Sequence, residues 1–285
     1  CLFKAVLEPG DEVVCPAPFF VEYTFYAQNH GGTLKPVPCT QDFHLDVARM
    51  AQAITERTRV VLLNSPNNPT GQVYDAKELQ DLTQVLEEAS AKHGRPIYLV
   101  SDEPYRFLTY DQAEVSPLFP LYASSIVVNS FSKNLSLAGE RIGYVLLNPA
   151  MQDKTVLMDG LILANRILGF VNAPAIGQRL VQSTLDTQVD VRIFTQRRER
   201  MCQVLDQAGY SYVRPRGGFY FFPAAPGGDD VQFVRMLQEE RILAVPGSGF
   251  GCPGHFRLSF CVPEETIANA APSFGRAYAR AVQGG

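Results

Sequence analysis

The apolar run Arg59-Val60-Val61-Leu62-Leu63-Asn64 passes directly into Ser65-Pro66-Asn67-Asn68-Pro69-Thr70-Gly71, and this junction limits the fold more than any other stretch. A run rich in β-branched residues with no polar alternation reads as a buried strand, and a turn holding two prolines and a glycine stops it at Asn64. Comparable strands are expected at Glu12–Cys15, Thr33–Pro38, Pro96–Asp102 and Ser125–Asn129. Helical spacing is read over Phe19–Asn29, Leu45–Ile54 and Asp75–His93, the last with Leu79, Leu82, Val85, Leu86 and Ala89 on one face. Strands alternating with helices predict an α/β fold with a mostly parallel sheet and helices on both faces. Ligands of such sheets gather at the carboxyl ends of the strands, where Asn64, Asn68, Asp102, Tyr105, Ser130 and Lys133 all lie.

The pattern changes after Pro149. Helices are expected over Met151–Ile167, Ala173–Leu185 and Val189–Ala208, the last with an Arg- and Gln-rich outer face. Short strands then flank a helix at Val231–Glu240, with candidates at Gly217–Phe222, Ile242–Val245 and Phe256–Phe260. A chain of 285 residues exceeds the size at which single cores usually split. The expected division is a large α/β domain over residues 1–185 and a smaller α+β domain over 186–285. Cys1–Leu7 reads as the last turns of an amphipathic helix stopped by Pro9-Gly10, so further chain is expected upstream.

A net charge of −4 leaves no electrostatic footprint for nucleic acid or an anionic membrane. No apolar run approaches the roughly 20 residues of a membrane span, and a cytoplasmic location is the default expectation. The six cysteines include no C-x-x-C pair, so neither a zinc site nor a disulfide framework is expected.

Ser130-Phe131-Ser132-Lys133, with Arg141 eight residues on, pairs an amine able to act as a covalent nucleophile with hydroxyls and a guanidinium able to hold a phosphate. Alone, Lys133 also reads as a solvated side chain, and Arg141 as the partner of Glu140. Asp102 at a strand end is either a turn former or helix cap, or a carboxylate that keeps a ring nitrogen protonated. Asn68 is a turn residue or an amide donor. Phe20 belongs to a helix core or stacks on a planar ring. Arg257, between Phe256 and Leu258, is costly to bury alone and needs either an internal acid or a substrate carboxylate.

Taken together, Asn64–Gly71, Ser101-Asp102-Glu103-Pro104-Tyr105, Ser130–Lys133 with Arg141-Ile142-Gly143, Gly217-Gly218-Phe219-Tyr220 and Phe256–Ser259 resemble the class I/II aminotransferases. These are fold-type I pyridoxal phosphate enzymes of the aspartate aminotransferase kind. The resemblance implies Lys133 as the Schiff-base lysine and Asp102 as partner of the ring nitrogen. It implies Tyr105 and Asn68 as donors to the cofactor's 3′ oxygen, Ser130 and Arg141 on its phosphate, which Ser132 also suits as a hydroxyl, and Phe20 stacked on the ring. Asn64 supports the ring and the Asn68 loop, and Arg257 clamps the substrate carboxylate beside Asn68. The implied substrates are an amino acid and a 2-oxo acid, with Arg166 a candidate side-chain contact, and the implied assembly is a homodimer with shared active sites. The family's Gly-rich phosphate turn, N-terminal arm and partner-donated tyrosine have no counterpart in the sequence. A carbon-sulfur β-lyase and a non-catalytic sensor domain of a regulator remain the alternatives.

Overall fold

A computed structural model describes residues 1–283. In chain order the elements are α1 (Leu2–Val6), β1 (Glu12–Ala17), α2 (Glu22–Gln28), β2 (Thr33–Pro38), α3 (Val47–Ala53), β3 (Thr58–Asn64), α4 (Ala76–His93), β4 (Tyr98–Asp102), β5 (Ser125–Ser130), α5 (Phe131–Asn134) and β6 (Gly143–Leu147). There follow α6 (Lys154–Ile167), α7 (Ala175–Thr184), α8 (Val191–Ala208), β7 (Tyr220–Phe221), α9 (Asp230–Glu239), β8 (Val245–Pro246), β9 (Phe256–Ser259) and α10 (Glu264–Gln283).

The first six strands form one sheet in the order β2-β1-β3-β4-β5-β6, parallel except for β6, which runs antiparallel to β5. Alternate residues of each strand serve opposite faces. Val60 and Leu62 of β3 join one core with Phe3 of α1, Tyr23 of α2 and Leu157 of α6. Val61 and Leu63 join the other core with Met50 of α3 and Leu82 and Leu86 of α4. Two-sided burial explains why β3 reads as an unbroken apolar run. Leu82 and Leu86 are fully buried, which stabilises by about 1.5–3 kcal/mol each. Helix α4 is fixed at both ends: Asp75 and Glu78 form a reciprocal capping box, and Gly94 closes it in the left-handed conformation.

A second sheet, β7-β9-β8, is antiparallel. Its core joins Phe221 and Phe256 to Phe233 of α9 and Phe274 of α10, and the segment after β4 contributes Tyr105 and Leu108 to the same cluster.

The expected α/β class holds, and several boundaries move. The helix expected from Phe19 starts at Glu22, because Phe19 donates its N–H to the Phe250 carbonyl at 3.1 Å and leaves Phe20 in the loop. The strand expected at Gly217–Phe222 shortens to β7, and the one expected at Ile242–Val245 keeps only Val245, which begins β8. Strand β6 and the 20-residue helix α10 were not anticipated; Pro272 lies within α10, whose buried Ile267, Phe274, Ala277 and Ala281 keep helical spacing. The outer face assigned to α8 also needs correction, since Arg198 is 1% exposed. Its guanidinium grips both Asp111 oxygens at 2.7 and 2.8 Å and the Pro215 carbonyl at 3.0 Å, and lies 4.4 Å from the Tyr110 ring centre. Both Nη groups are satisfied, Nη2 donating also to Glu199 at 2.9 Å, while Nε has no partner among the described residues.

Candidate active site

Strand β1 has neighbours on both sides, β2 following it in sequence and β3 crossing back, so the strand order reverses between β1 and β3. Crevices at such a reversal, outside the carboxyl ends of the strands, are where open α/β sheets hold ligands. β3 ends on Asn64, β4 on Asp102 and β5 on Ser130, with Asn64 opposite Asp102 in register.

Asn64 organises the adjoining turn. Its Nδ2 donates to the Asp102 carbonyl at 2.8 Å, and its Oδ1 accepts the Asn68 N–H at 2.7 Å. Asn67 closes the turn by accepting from the Thr70 N–H and hydroxyl at 3.1 and 2.9 Å. The Gly71 carbonyl accepts from the N–H groups of Arg216 and Gly217, both at 2.8 Å. A Cβ on Gly71 would lie 2.5 Å from Pro215, and one on Gly217 would lie 2.6 Å from Pro66, so both glycines are required by the close approach of the turn to the 215–217 segment.

Arg257 of β9 crosses this seam. Its Nη1 donates to Asn68 Oδ1 at 2.9 Å, while its guanidinium carbon sits 4.6 Å from the Tyr220 ring centre and 4.9 Å from that of Phe250. Among the described residues no carboxylate pairs with Arg257 within 4.0 Å, which removes the internal-acid alternative. Tyr105, three residues past β4, is buried, with its hydroxyl 3.2 Å from that of Tyr220.

Asp102 is held from α2: the Tyr23 hydroxyl donates to its Oδ2 at 2.5 Å. Burial pushes the Asp102 carboxyl up to about 6, the Tyr23 donation works against that rise, and the Glu103 charge adds to it. Asp102 thus caps no helix. It opens onto a cavity of about 320 Å³ shared with Tyr23, Tyr26, Leu62, Val100 and Val128. Tyr23 escaped the sequence reading; its only signal is its position three residues after Phe20, within the first turn of α2.

Ser130 caps α5: its Oγ accepts the Ser132 N–H at 3.0 Å and donates to the Ser132 hydroxyl at 2.7 Å. Lys133 is half-buried, with Nζ 5.8 Å from the Phe219 ring centre, and Phe219 packs edge-on against Tyr105 at 5.1 Å. Phe20 meets Tyr23 edge-on at 5.5 Å. Arg141 is exposed and donates to the Ala138 carbonyl at 2.9 Å instead of pairing with Glu140. Direct contacts therefore unite Asn64, Asp102, Asn68 and Arg257. Lys133 joins Tyr105 through Phe219, while the two serines form a separate pair beside Lys133.

Comparisons with known proteins agree with the fold. Residues 1–274 match the family described as aminotransferase class I and II. A probable aspartate/prephenate aminotransferase of Aquifex aeolicus is 34% identical over 93% of this chain and 69% of its own length. The aspartate/prephenate aminotransferase of Thermus thermophilus is 33% identical over 98% and 72%. Among solved structures, an amino transferase from Eubacterium rectale superposes with a TM-score of 0.94 at 37% identity, covering 98% of this chain and 70% of that one. An aspartate aminotransferase from Thermotoga maritima gives 0.84 at 30%, covering 96% and 72%. These likenesses favour neither the lyase nor the sensor alternative. The chain belongs to the class I and II aminotransferase family, a family that uses pyridoxal phosphate, and is an aminotransferase.

Proposed function

We propose that this chain holds pyridoxal 5′-phosphate at the carboxyl ends of β3, β4 and β5 and uses it to move an amino group between an L-amino acid and a 2-oxo acid. The observation that carries the reading is Arg257, a half-buried guanidinium held by a neutral amide and two aromatic faces, and so free to receive a carboxylate. The donor set fits the cofactor: Asp102 for the ring nitrogen, Asn68 and Tyr105 for the 3′ oxygen, Ser130, Ser132 and Arg141 for the phosphate, Phe20 for the ring face, and Lys133 for the covalent bond. Asn64 supports the Asn68 turn.

The bound ring supplies an electron sink for charge developing at the substrate Cα. Asp102, as a carboxylate, keeps the ring nitrogen positively charged. Arg257 and Asn68 fix the substrate carboxylate, which orients the Cα–H bond for attack. Lys133 Nζ would hold the cofactor covalently and, as a free amine, would take that proton as general base. Relatives named for aspartate and prephenate support a dicarboxylic partner in the exchange.

On this reading residues 1–185 form the cofactor-holding part and residues 186–285 the smaller part that brings Arg257. A homodimer is supported by exposed apolar side chains of α6 and α7, among them Ile162, Leu163, Ile167 and Ile176. Among the described residues no helix is long and apolar enough to cross a membrane, and we place the enzyme in the cytoplasm.

Borohydride reduction of the holoenzyme followed by peptide mapping tests the site: the pyridoxyl group is expected on Lys133. Label on Lys77 or Lys154 in its place overturns the assignment. A panel of amino donors then defines the substrate.

A further inference from the structure

Tyr220 lies on β7, opposite Ser259 of β9, and is buried. Two of its surfaces face functional groups. Its hydroxyl is 3.2 Å from the Tyr105 hydroxyl, and its ring carries the Arg257 guanidinium at 4.6 Å. Tyr105 belongs to the segment after β4 and Arg257 to the second sheet, so one side chain touches both the residue proposed for the cofactor oxygen and the residue proposed for the substrate carboxylate.

We propose that Tyr220 is a positioning residue for both halves of the site, its hydroxyl setting Tyr105 and its ring seating Arg257. The inference rests on the roles given above to Tyr105 and Arg257.

The direction of the hydrogen bond follows from proton counting. Two hydroxyls in contact share one hydrogen bond, so one proton remains for another acceptor. An anionic cofactor oxygen at Tyr105 claims the Tyr105 proton, which leaves Tyr220 as the donor to the Tyr105 oxygen. Donation into that oxygen polarises the Tyr105 O–H and strengthens its own bond onward. The Arg257 charge over the ring withdraws electron density from the Tyr220 phenol and acts in the same sense, while the ring face holds the guanidinium beside Asn68.

The hydroxyl and the ring are separable by substitution. In the holoenzyme, Tyr220→Phe is expected to raise the pH midpoint of the cofactor's visible absorbance by roughly a few tenths of a unit, with KM for the amino donor within about twofold. Tyr220→Leu is expected to move the same midpoint and also raise that KM by roughly three- to tenfold. Tyr105→Phe is measured beside them and is expected to shift the midpoint further. If Tyr105→Phe moves the midpoint and Tyr220→Phe does not, the role given to the Tyr220 hydroxyl is overturned while the site reading stands. Equal KM values for the Phe and Leu variants overturn the seating of Arg257. An unmoved midpoint in Tyr105→Phe, or a parent protein without a cofactor band, overturns the site reading and this inference with it.

Discussion

Arg257 Nη1 donates to Asn68 Oδ1 at 2.9 Å across 189 positions of sequence. The contact joins the second sheet to the turn after β3, and it fixes a cation without neutralising it. Asn68 has two duties there, since its backbone N–H is anchored on Asn64. Through Asn64, which donates to the Asp102 carbonyl, the same contacts tie Arg257 to the end of β4.

Replacing Arg257 by lysine removes the fork and keeps the charge. A charged hydrogen bond contributes about 1.5–3 kcal/mol, so Arg257→Lys is expected to lower kcat/KM for the amino donor roughly 10- to 150-fold. Steady-state kinetics check this, and an unchanged value removes Arg257 from the substrate site.

The raised carboxyl of Asp102 has a pH signature in the cofactor-free protein. Burial makes its folded-state value, about 6, higher than the ordinary 3.8, so the folded state holds the proton more tightly than the unfolded state does. The resulting stability is present at low pH and is lost as pH rises from about 4 to about 6. Urea melts of parent and Asp102→Asn across that window should converge at the acid end, with the parent losing stability relative to the variant as pH rises. Tyr23→Phe removes the opposing donor and should extend the loss to higher pH.

Asp111 is half-exposed and Arg198 is not, which makes the pair unequal. Removing the carboxylate leaves the buried guanidinium with Glu199 and the Pro215 carbonyl alone, so Asp111→Ala is expected to destabilise by about 1–3 kcal/mol. Arg198→Met removes the charge with the side chain and should cost less. Chemical denaturation of both variants decides the order.

Gly71→Ala places a methyl group 2.5 Å from Pro215 at a φ of +71°. Overpacking and backbone strain together are expected to cost roughly 1–3 kcal/mol, and the displaced seam should also raise KM for the amino donor. Unchanged stability and KM would show that the 215–217 segment moves away to admit the methyl group.

The apolar face of α6 and α7 predicts self-association. A charge at Leu163 or Ile176, both exposed in the monomer, should convert dimer to monomer without lowering the thermal midpoint of the monomer. Light scattering at matched concentrations measures the change, and an unaffected mass would remove this face from the interface.

Much of the architecture was legible locally. The β3 run and its turn and the apolar spacing of α4 are signals contained within a few residues, so the strand ends followed from them, whereas the order of strands in the sheet did not. Asn64, Asp102 and Ser130 were readable as strand-end residues for that reason. Strand β6 was not, because its pairing with β5 depends on the loop between them folding back. Helix α10 was hidden by Pro272 inside an otherwise regular pattern.

The sequence by itself determined which residue types stand at the ends of the parallel strands, since periodicity and turn chemistry act along the chain. Only the tertiary structure decided their partners. It set Tyr23 on Asp102, placed Asn68 rather than an acid beside Arg257, buried Arg198 in a face that composition had marked as outer, and brought Tyr220 against both Tyr105 and Arg257. The contacts of Tyr23 with Asp102 and of Asn68 with Arg257 join residues 79 and 189 positions apart, and no local pattern encodes that pairing.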